Sequence, residues 1–403
     1  MLIGNAVVGQ SGGPTAAINA TLAGVIRGTL ERTDAIKTLY GMRNGVEGLL
    51  REDFIDLSAF FSADTSKITT LEHTPAAALG SCRKKLPAVE GNKEFYDNLI
   101  GIFKKHDIRY FFYIGGNDSA DAARIVAEEA EKEGYPLIVY HIPKTIDNDL
   151  RSCDHTPGFG SAARFVASAI RGDDLDNRAL GGVKIDVIMG RDAGFLTAAS
   201  ALARIREDDG PHLIYLPEVV FTEEKFIKDV KAALKKYGRC VCAVSEGIRG
   251  KDGIPIGAKL GSGETDSHGN VQMSGTGALG DALATLLKSK AGVKRVRADT
   301  FGYLQRSFPG IASKVDQAEG RAAGEAAVKA ALKGELTKGT IAIVREEGKK
   351  YKIAYAPVPI QNAAKYTRSV PKEYIAKNGH DVTEAFLEYV RPIVGDIPHC
   401  EIF

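Results

Sequence analysis

Short apolar runs that each end in a polar, glycine-rich tip recur along this chain and constrain its fold more than any other feature. Three of them lie in the first 150 residues, at Leu2–Val8, Tyr110–Ile114 and Leu137–Ile142. Runs of roughly four to eight β-prone residues separated by helical patterns are typical of buried parallel strands joined by helices. The alternation predicts an α/β protein with parallel-rich sheets.

Length, charge and cysteine usage narrow the class of protein. The 403 residues exceed what one hydrophobic core usually organises, so two domains are expected. A net charge of +2, with the basic residues interspersed among acids, argues against a nucleic-acid or membrane-surface partner. The five scattered cysteines are expected to be reduced, as in a cytoplasmic protein. No apolar run reaches the roughly 18 residues of a membrane span.

The stretch from Pro136 to Leu150 carries the densest group of reactive side chains. After its apolar run, Pro143 has no N–H to give to a strand ladder. A cation, a hydroxyl and two carboxylates follow, and these are Lys144, Thr145, Asp147 and Asp149. A carboxylate close to a lysine can act as a base while the lysine holds an anionic substrate. A polar loop with incidental charges would contain the same residues, so both interpretations stay open here.

Two glycine turns and one basic loop are further candidate anion sites. Gln10–Thr15 follows the first apolar run, and Gly115–Ser119 follows the second. Each precedes a helical pattern, and unpaired N–H groups and the helix dipole converge at such a helix start. An ordinary strand-to-helix turn is the alternative for both. Arg83 lies in the basic loop Leu79–Lys85, whose cations either reach a phosphate or are simply solvated.

The strand and helix pattern restarts after Arg151. Residues 64–95 are polar and predict irregular structure, and 261–275 predict a flexible loop in which His268 is solvated. The remaining predicted elements are helices at about 160–171, 222–237, 315–332 and 383–389, a helix ending near 287, strands at 183–188, 212–216, 240–244, 340–345 and 351–357, and a strand near Val296.

Seven segments resemble, in order and rough spacing, the signature of the phosphofructokinase family. They are Ser11-Gly-Gly, Gly115-Gly-x-Asp-Ser, Pro143-Lys-Thr-Ile-Asp-Asn-Asp149, Met189-Gly-Arg191, Pro217-Glu218, Glu246 and Gly302-Tyr-Leu-Gln-Arg306. The resemblance covers about residues 2–360, and the tail from Ala363 has no counterpart in short ATP-dependent members. It implies two doubly wound, Rossmann-like domains with the active site in the cleft between them. The expected phosphoryl-donor domain covers 1–152 and about 307–362, and the sugar-phosphate domain about 153–306 and 363–403.

Two positions resemble the pyrophosphate-dependent branch of that family. Asp118 and Lys144 stand where ATP-dependent members carry glycine. Asp118 puts a side chain and a negative charge where the α-phosphate of ATP would need room, while Lys144 adds a cation for a short donor. The implied reaction is reversible phosphoryl transfer from pyrophosphate to fructose 6-phosphate, giving fructose 1,6-bisphosphate and phosphate, as in glycolysis and gluconeogenesis.

The resemblance also implies a role for individual residues. Asp147 would be the base for the sugar 1-hydroxyl, with Lys144 and Asp118 completing the catalytic set. Pyrophosphate would be held by Gly12, Arg83, Lys144 and Asp118. The sugar phosphate would be bound by Thr145, Asp147, Lys184, Met189, Gly190, Arg191, Glu246, Arg297, Tyr303 and Arg306. Arg297 matches an arginine that family members supply from a neighbouring subunit, and Lys184 is placed with it slightly out of register. A homodimer or larger homo-oligomer is therefore expected.

Asn117 is a departure from the family pattern, since most relatives carry an aspartate associated with magnesium there. Mg²⁺ is still the expected cofactor, because an amide oxygen can ligate a hard cation. Asn117 and Asp149, with Asp118, are its candidate ligands. Tyr303 is a second departure, where ATP-dependent relatives carry histidine. Two alternatives stay open: an ATP-dependent phosphofructokinase that tolerates Asp118 and Lys144, and a non-catalytic phosphosugar sensor, which Asn117 suggests.

Overall fold

The computed structural model describes residues 2–260, 276–348, 350–364 and 366–402. They divide into two compact units, each built from two separate stretches of chain. Unit 1 is Met1–Gly158 with Asp316–Thr367, and unit 2 is Phe159–Val315 with Arg368–Phe403. The boundaries lie five to nine residues beyond the predicted ones. The predicted loop 261–275, with His268, lies outside the described residues.

The strands and helices alternate along most of the chain. The strands are β1 Gly4–Gln10, β2 Ile36–Met42, β3 Phe54–Asp56, β4 Ile108–Gly115, β5 Ile138–Pro143, β6 Gly182–Ile188, β7 Leu213–Tyr215, β8 Arg239–Ser245, β9 Val296–Thr300, β10 Lys338–Arg345 and β11 Ile353–Pro359. The helices are α1 Ile18–Leu30, α2 Val46–Leu50, α3 Leu57–Ser62, α4 Ser66–His73, α5 Lys93–Lys105, α6 Asn117–Lys132, α7 Phe159–Leu180, α8 Phe195–Ala199, α9 Glu223–Tyr237, α10 Ile256–Leu260, α11 Ala278–Ala291, α12 Leu304–Ser307, α13 Lys314–Lys333 and α14 Glu384–Val394.

Unit 1 contains a seven-stranded sheet in the order β11-β10-β5-β4-β1-β2-β3. Its central pairs are parallel, and the outer pairs β2–β3 and β10–β11 are antiparallel. Alternate residues of the central strands enter separate cores on the two faces: Tyr110 and Phe112 belong to one, Phe111 and Tyr113 to the other. Because both faces are buried, these strands read as continuous apolar runs in the sequence.

Unit 2 contains a four-stranded, fully parallel sheet in the order β7-β8-β6-β9. One face of it packs residues such as Ile185, Val187 and Cys242 into a core with Phe226 and Leu283 of the covering helices. The parallel direction again follows from the helices that join the strands.

Two predictions of local structure were wrong. Residues 64–95 were predicted to be irregular, but α4 lies within them and α5 begins at their end. The helix predicted at 160–171 runs on as α7 to Leu180. Its polar second half is stabilised by tertiary ion pairs, since Asp174 accepts from Arg239 and Arg178 donates to Asp208 at 2.7 Å. Such partners come from distant sequence and leave no local periodic signal.

Candidate active site

The carboxyl ends of β1, β4 and β5 meet at one edge of the unit 1 sheet. Gln10 pairs with Ile114, and Gly115 pairs with Pro143, so the chain leaves all three strands at about the same level. We call the segments that follow these strand ends, with the loop bonded to them, edge 1. The predicted site residues on edge 1 are Gly12, Arg83, Asn117, Asp118, Lys144, Thr145, Asp147 and Asp149.

The ammonium group of Lys144 lies against the glycine turn that follows β1. Lys144 is only 3% exposed, and its Nζ donates to the carbonyl oxygen of Gly13 at 2.7 Å. Its backbone N–H donates to Gly115 O at 2.9 Å, which attaches it to β4 as well. Burying an ammonium is costly unless partners compensate for the lost water. The fold therefore places a fixed positive charge at edge 1.

Gly12 makes room for that charge. Its φ is +77°, in the left-handed region that favours glycine, and a Cβ there would lie 3.2 Å from Lys144 Nζ. Its N–H donates to Cys82 O at 3.0 Å, and its carbonyl accepts from Ser81 Oγ at 2.6 Å. Gly12 thus contributes space rather than the open N–H expected from the sequence. The same two bonds hold the segment 81–83 beside the turn, which brings Arg83 to edge 1.

The start of α1 is also satisfied within the protein. Thr15 Oγ1 accepts from the N–H groups of Ala17 at 3.3 Å and Ile18 at 2.9 Å. This is the usual way in which a hydroxyl caps a helix. This helix start was a candidate anion site in the sequence, with an ordinary strand-to-helix turn as the alternative, and two of its N–H groups are already bonded within the protein.

The segment after β5 alternates in burial, and the alternation presents its reactive side chains on one side. Thr145, Asp147 and Asp149 are partly exposed, whereas Ile146, Asn148 and Leu150 are buried. Asn148 supports this shape with a φ of +58°, which asparagine tolerates, and its Oδ1 accepts from Thr156 N at 3.1 Å. Thr145 Oγ1 accepts from Asp147 N at 3.1 Å. The segment therefore holds its hydroxyl and both carboxylates in a defined order.

The first turn of α6 brings Asn117 and Asp118 to the same edge. The helix begins at Asn117, immediately after the strand-end pair Gly115–Gly116, and Asp118 is the acidic residue of its first turn. A carboxylate is favourable at a helix N-terminus because it faces the positive end of the helix dipole. Asp118 thus puts a negative charge where an incoming anion would otherwise be attracted.

Sequence reasoning missed two residues that shape edge 1. His141, on β5, is fully buried between Thr340 Oγ1 at 2.8 Å and Gly115 O at 2.8 Å. Burial lowers the pKa of His141 to about 4, so the ring is neutral and donates from Nε2 to that carbonyl. Ser119 Oγ donates to Ser11 Oγ at 2.9 Å, which joins the turns after β4 and β1. His141 stands inside an apolar run, and Ser119 closes the Gly115–Ser119 turn that the sequence already indicated, but neither position carries a local sign of its distant polar partner.

Unit 2 presents a second group of candidate residues at the carboxyl ends of its own strands. Ile188 pairs with Ser245 and Val187 with Thr300, so β6, β8 and β9 also end together. We call the segments that follow them edge 2. The predicted site residues on edge 2 are Met189, Gly190, Arg191, Glu246, Tyr303 and Arg306.

Backbone contacts join the first two segments of edge 2. Glu246 N donates to Ile188 O at 2.8 Å, and Ser245 Oγ donates to Gly190 O at 2.6 Å. Glu246 is buried at 6% exposure. A Cβ at Gly247 would lie 2.0 Å from Arg191 O, so the two segments approach more closely than any other residue would allow. This packing places Glu246 beside the Gly190–Arg191 turn.

Gln305 joins the third segment to the first, and sequence reasoning gave it no role. Its Oε1 accepts from Met189 N at 3.1 Å, and its Nε2 donates to Gly302 O at 2.8 Å. The Arg306 guanidinium lies 4.5 Å from the centre of the exposed Tyr303 ring, in a cation–π contact. Gln305 belongs to the Gly302–Arg306 motif, and its place in that motif is the only feature of the sequence that could have indicated its role.

Lys184 and Arg297 lie away from edge 2. They pair with each other in register along β6 and β9, before those strands end. Lys184 Nζ contacts Asp299 and lies 3.3 Å from Asp173 Oδ2, while Arg297 is exposed and donates to Val296 O at 3.1 Å. Edge 2 of one chain therefore does not include either cation.

The oxygen donors of edge 1 fit a magnesium ion that is shared with a phosphate ligand. Asn117, Asp118 and Asp149 offer hard oxygen ligands, as Mg²⁺ prefers. Among the described residues, however, three acidic, thiol or imidazole ligands lie close enough to share an ion only in unit 2. Asn117, Asp118 and Asp149 could therefore supply only part of a coordination shell, as is usual for Mg²⁺, which combines one or two protein ligands with substrate phosphates.

The sequence of this chain matches a known protein family. The family model described as Phosphofructokinase matches residues 5–331. The chain belongs to the phosphofructokinase family. It is 50% identical over 396 residues to the pyrophosphate–fructose 6-phosphate 1-phosphotransferase of Rhodospirillum rubrum, covering 98% of this chain and 95% of that protein. It is 40% identical over 394 residues to the protein of the same name from Halomonas elongata, covering 97% and 91%.

A solved phosphofructokinase has the same fold. The pyrophosphate-dependent phosphofructokinase from Nitrosospira multiformis aligns with a TM-score of 0.86 at 34% identity, covering 98% of this chain and 94% of that one. The family and the α/β fold predicted from the sequence are confirmed. None of the helices in the described part of this phosphofructokinase has the length and apolar character needed to cross a bilayer.

Proposed function

We propose that this chain is a pyrophosphate-dependent phosphofructokinase, which transfers a phosphoryl group reversibly from pyrophosphate to fructose 6-phosphate. The observation that carries the proposal is the buried Lys144 ammonium at the Gly12–Gly13 turn, 2.7 Å from Gly13 O. It supplies a cation for a donor that has only two phosphates and no nucleoside to anchor it. The printed names of the R. rubrum and H. elongata relatives support the same donor and acceptor.

Asp118 supports the choice of a short donor. Its carboxylate stands in the first turn of α6, where it occupies the positive end of the helix dipole. A third phosphate and its nucleoside would meet a side chain and a like charge there. Gly12, Arg83 and Lys144 then hold the pyrophosphate, with Gly12 providing the space for the lysine.

Asp147 is proposed as the base. It is partly exposed and held in place through Thr145, so its carboxylate can receive the proton of the sugar 1-hydroxyl as that oxygen attacks phosphorus. Phosphoryl transfer depends mainly on positioning and on neutralising charge. Thr145 orients Asp147, and Lys144 stabilises the charge on the phosphoryl oxygens.

Edge 2 is proposed to bind fructose 6-phosphate. Arg191 and Arg306 suit the 6-phosphate because a guanidinium forms two parallel bonds with phosphate oxygens. Tyr303 supplies a hydroxyl, Glu246 accepts hydrogen bonds from the sugar hydroxyls, and the Met189–Gly190 turn packs against the bound sugar. The family resemblance also assigns Thr145 and Asp147 to sugar binding.

Magnesium is the proposed cofactor, and it would neutralise the charge of the bound phosphates. Asn117 and Asp149, with Asp118, would hold it. Lys184 and Arg297 are proposed to reach the sugar phosphate of a second copy, which requires a homodimer or larger homo-oligomer. The five free cysteines support the cytoplasmic location expected from the sequence.

A donor assay tests the proposal. Product formation from fructose 6-phosphate and Mg²⁺ is measured with pyrophosphate and with ATP, and turnover is expected with pyrophosphate alone. Turnover with ATP alone would overturn the assignment of Asp118 and Lys144 but leave edge 2 as a sugar-phosphate site. The double variant Lys144→Gly with Asp118→Gly should lose the pyrophosphate reaction.

A non-catalytic phosphosugar sensor is the second candidate, because Asn117 replaces the usual aspartate. This candidate predicts that fructose 6-phosphate binds without turnover with either donor. Calorimetric binding of the sugar phosphate, measured on the same preparation as the donor assay, distinguishes a sensor from an inactive preparation. Magnesium-dependent product formation would exclude it.

A further inference from the structure

Three carboxylates of unit 2 converge beside the strand pair β6–β9. Asp186 lies on β6 and pairs in register with Asp299 on β9, while Asp173 projects from α7. One oxygen from each lies within 4.8 Å of the others. The group lies along the strands rather than at edge 2, and the proposed phosphoryl transfer uses none of its members.

Asp186 is the unusual member of this cluster. The residue is 0% exposed, and no N–H or hydroxyl donates to either of its carboxyl oxygens. Burial and the adjacent Asp173 carboxyl, which is close enough to share a proton with it, raise the pKa of Asp186. A buried carboxylate without donors costs several kcal/mol, because nothing replaces the water it has lost. The other two carboxylates have a positively charged partner, since the Lys184 ammonium contacts Asp299 and lies 3.3 Å from Asp173 Oδ2.

The charges of the cluster do not balance. Asp173, Asp186 and Asp299 contribute three negative charges and Lys184 one positive charge, which leaves two negative charges on a cluster that runs from the fully buried Asp186 to the exposed Asp299. A monovalent ion or a single shared proton would cancel only one of them. A divalent cation would cancel both and would give the orphaned oxygens of Asp186 a partner.

We propose that Asp173, Asp186 and Asp299 form a binding site for a hard divalent cation, separate from the magnesium of the phosphoryl donor. Carboxylate oxygens are the ligands that Mg²⁺, Mn²⁺ and Ca²⁺ share. Two ligands come from adjacent strands and one from the helix that covers them. The ion therefore attaches the edge strand β9 to β6 and α7.

This attachment has a consequence for edge 2. β9 runs directly into Phe301, whose N–H donates to Val187 O at 3.0 Å, and then into Tyr303 and Arg306. Holding β9 against β6 thus fixes the start of the segment that carries those two residues. The site is structural, and it supports the sugar-phosphate side without touching a substrate.

The test is manganese binding to the full chain without any substrate. Protein is stripped with EDTA and titrated with Mn²⁺, while free Mn²⁺ is followed by electron paramagnetic resonance. Wild type should bind one Mn²⁺ ion per chain at this site. The Asp186→Asn variant, a nearly isosteric change, should lose that ion.

The Asp299→Asn variant should bind Mn²⁺ about tenfold more weakly or worse, because it lacks one charged ligand. Asp299 is exposed enough for this variant to fold. Saturating Mn²⁺ should raise the melting temperature of wild type by about 2 °C or more, and not that of Asp186→Asn.

Two control variants make the outcome specific. Asp252→Asn removes an exposed carboxylate of unit 2 that pairs with Lys259 at 2.6 Å, and Asp149→Asn removes a carboxylate of edge 1. Both should keep the ion and the rise in melting temperature. Equal Mn²⁺ binding by wild type and Asp186→Asn would overturn the proposal, as would a site lost in Asp149→Asn. Wild type that binds no ion would overturn it too. Since no substrate is present, the result does not depend on the proposed function.

Discussion

Edge 1 and edge 2 both lie at the ends of parallel strands, but they position their side chains in different ways. Edge 1 holds a buried ammonium against main-chain carbonyls, and its turns are bonded to one another through Ser11, Gly12 and Ser119. Edge 2 carries long side chains, such as Arg306 on the exposed Tyr303 ring, and one buried amide supports them. Short main-chain contacts suit the small, highly charged donor proposed for edge 1, and long side chains suit the larger sugar phosphate proposed for edge 2.

The largest effect is expected at the proposed base. Asp147→Asn should lower kcat by about a hundredfold to ten-thousandfold, because the amide cannot accept the hydroxyl proton. KM for fructose 6-phosphate should change much less, since edge 2 is intact. Steady-state kinetics with pyrophosphate measure both constants. The control Asp97→Asn, at an exposed pair with Lys93, should behave as wild type, and a variant at Asp147 with full kcat would remove the residue from the mechanism.

A smaller effect is expected where edge 1 makes room for Lys144. Gly12→Ala should raise KM for pyrophosphate by about tenfold to a hundredfold, because the φ of +77° strains alanine and the new methyl lies 3.2 Å from the ammonium. Gly91→Ala is the matched control, with a φ of +81° and nothing within 4 Å of the added Cβ. If both variants raise KM equally, backbone strain rather than displacement of Lys144 explains the result.

The corresponding effect at edge 2 should fall on the other substrate. Gln305→Leu leaves Met189 N and Gly302 O without their partner, and it should raise KM for fructose 6-phosphate about tenfold, which corresponds to about 1.4 kcal/mol. KM for pyrophosphate should stay constant. Gln305→Glu keeps an acceptor for Met189 N and should recover part of the loss. Equal changes in both constants would mean that the two edges are not independent.

The smallest expected effect is a dependence of the free energy of unfolding on pH, which should differ between the two units. In unit 1, buried His155 lies between Asp154 at 2.8 Å and Glu319 at 2.5 Å, and these carboxylates raise the pKa of His155 against the opposing effect of burial. Tyr351 donates to Glu319 at 2.6 Å and Arg345 to Asp154 at 3.1 Å, so further charged and polar groups face the pair. In unit 2 the comparable buried pair is Arg239 with Asp174, which contains no imidazole.

Because the folded-state pKa of His155 is raised, its contribution to stability is complete below the unfolded value and is lost as pH rises through the folded one. The free energy of unfolding of unit 1 should therefore fall with rising pH, from about pH 6.5 upwards. Urea titrations at several pH values, with hydrogen exchange to assign each transition to a unit, measure this. His155→Gln should flatten the pH dependence. An unchanged slope in that variant would show that other groups cause it.

The proposed donor preference follows from two residues that the sequence already contains, while their precise setting does not. Asp118 and Lys144 are visible as substitutions in short motifs. The 2.7 Å contact of Lys144 with Gly13 O, by contrast, depends on β1 and β5 lying on either side of β4. His141 and Gln305 were overlooked for the same reason, since their partners Thr340 and Met189 are far away in the chain.

The sequence by itself determined the class of fold, the positions of most strands along the chain and the segments that end at each edge. These follow from local properties, namely apolar runs, glycine turns and motifs read over a few residues. Only the tertiary structure decided that the Gly12 amide is bonded to Cys82, that α7 continues to Leu180, and that Asp186 is buried without a donor. These depend on which strands and helices become neighbours, and hydrogen bonds and charge pairs between distant segments leave no periodic pattern in the chain.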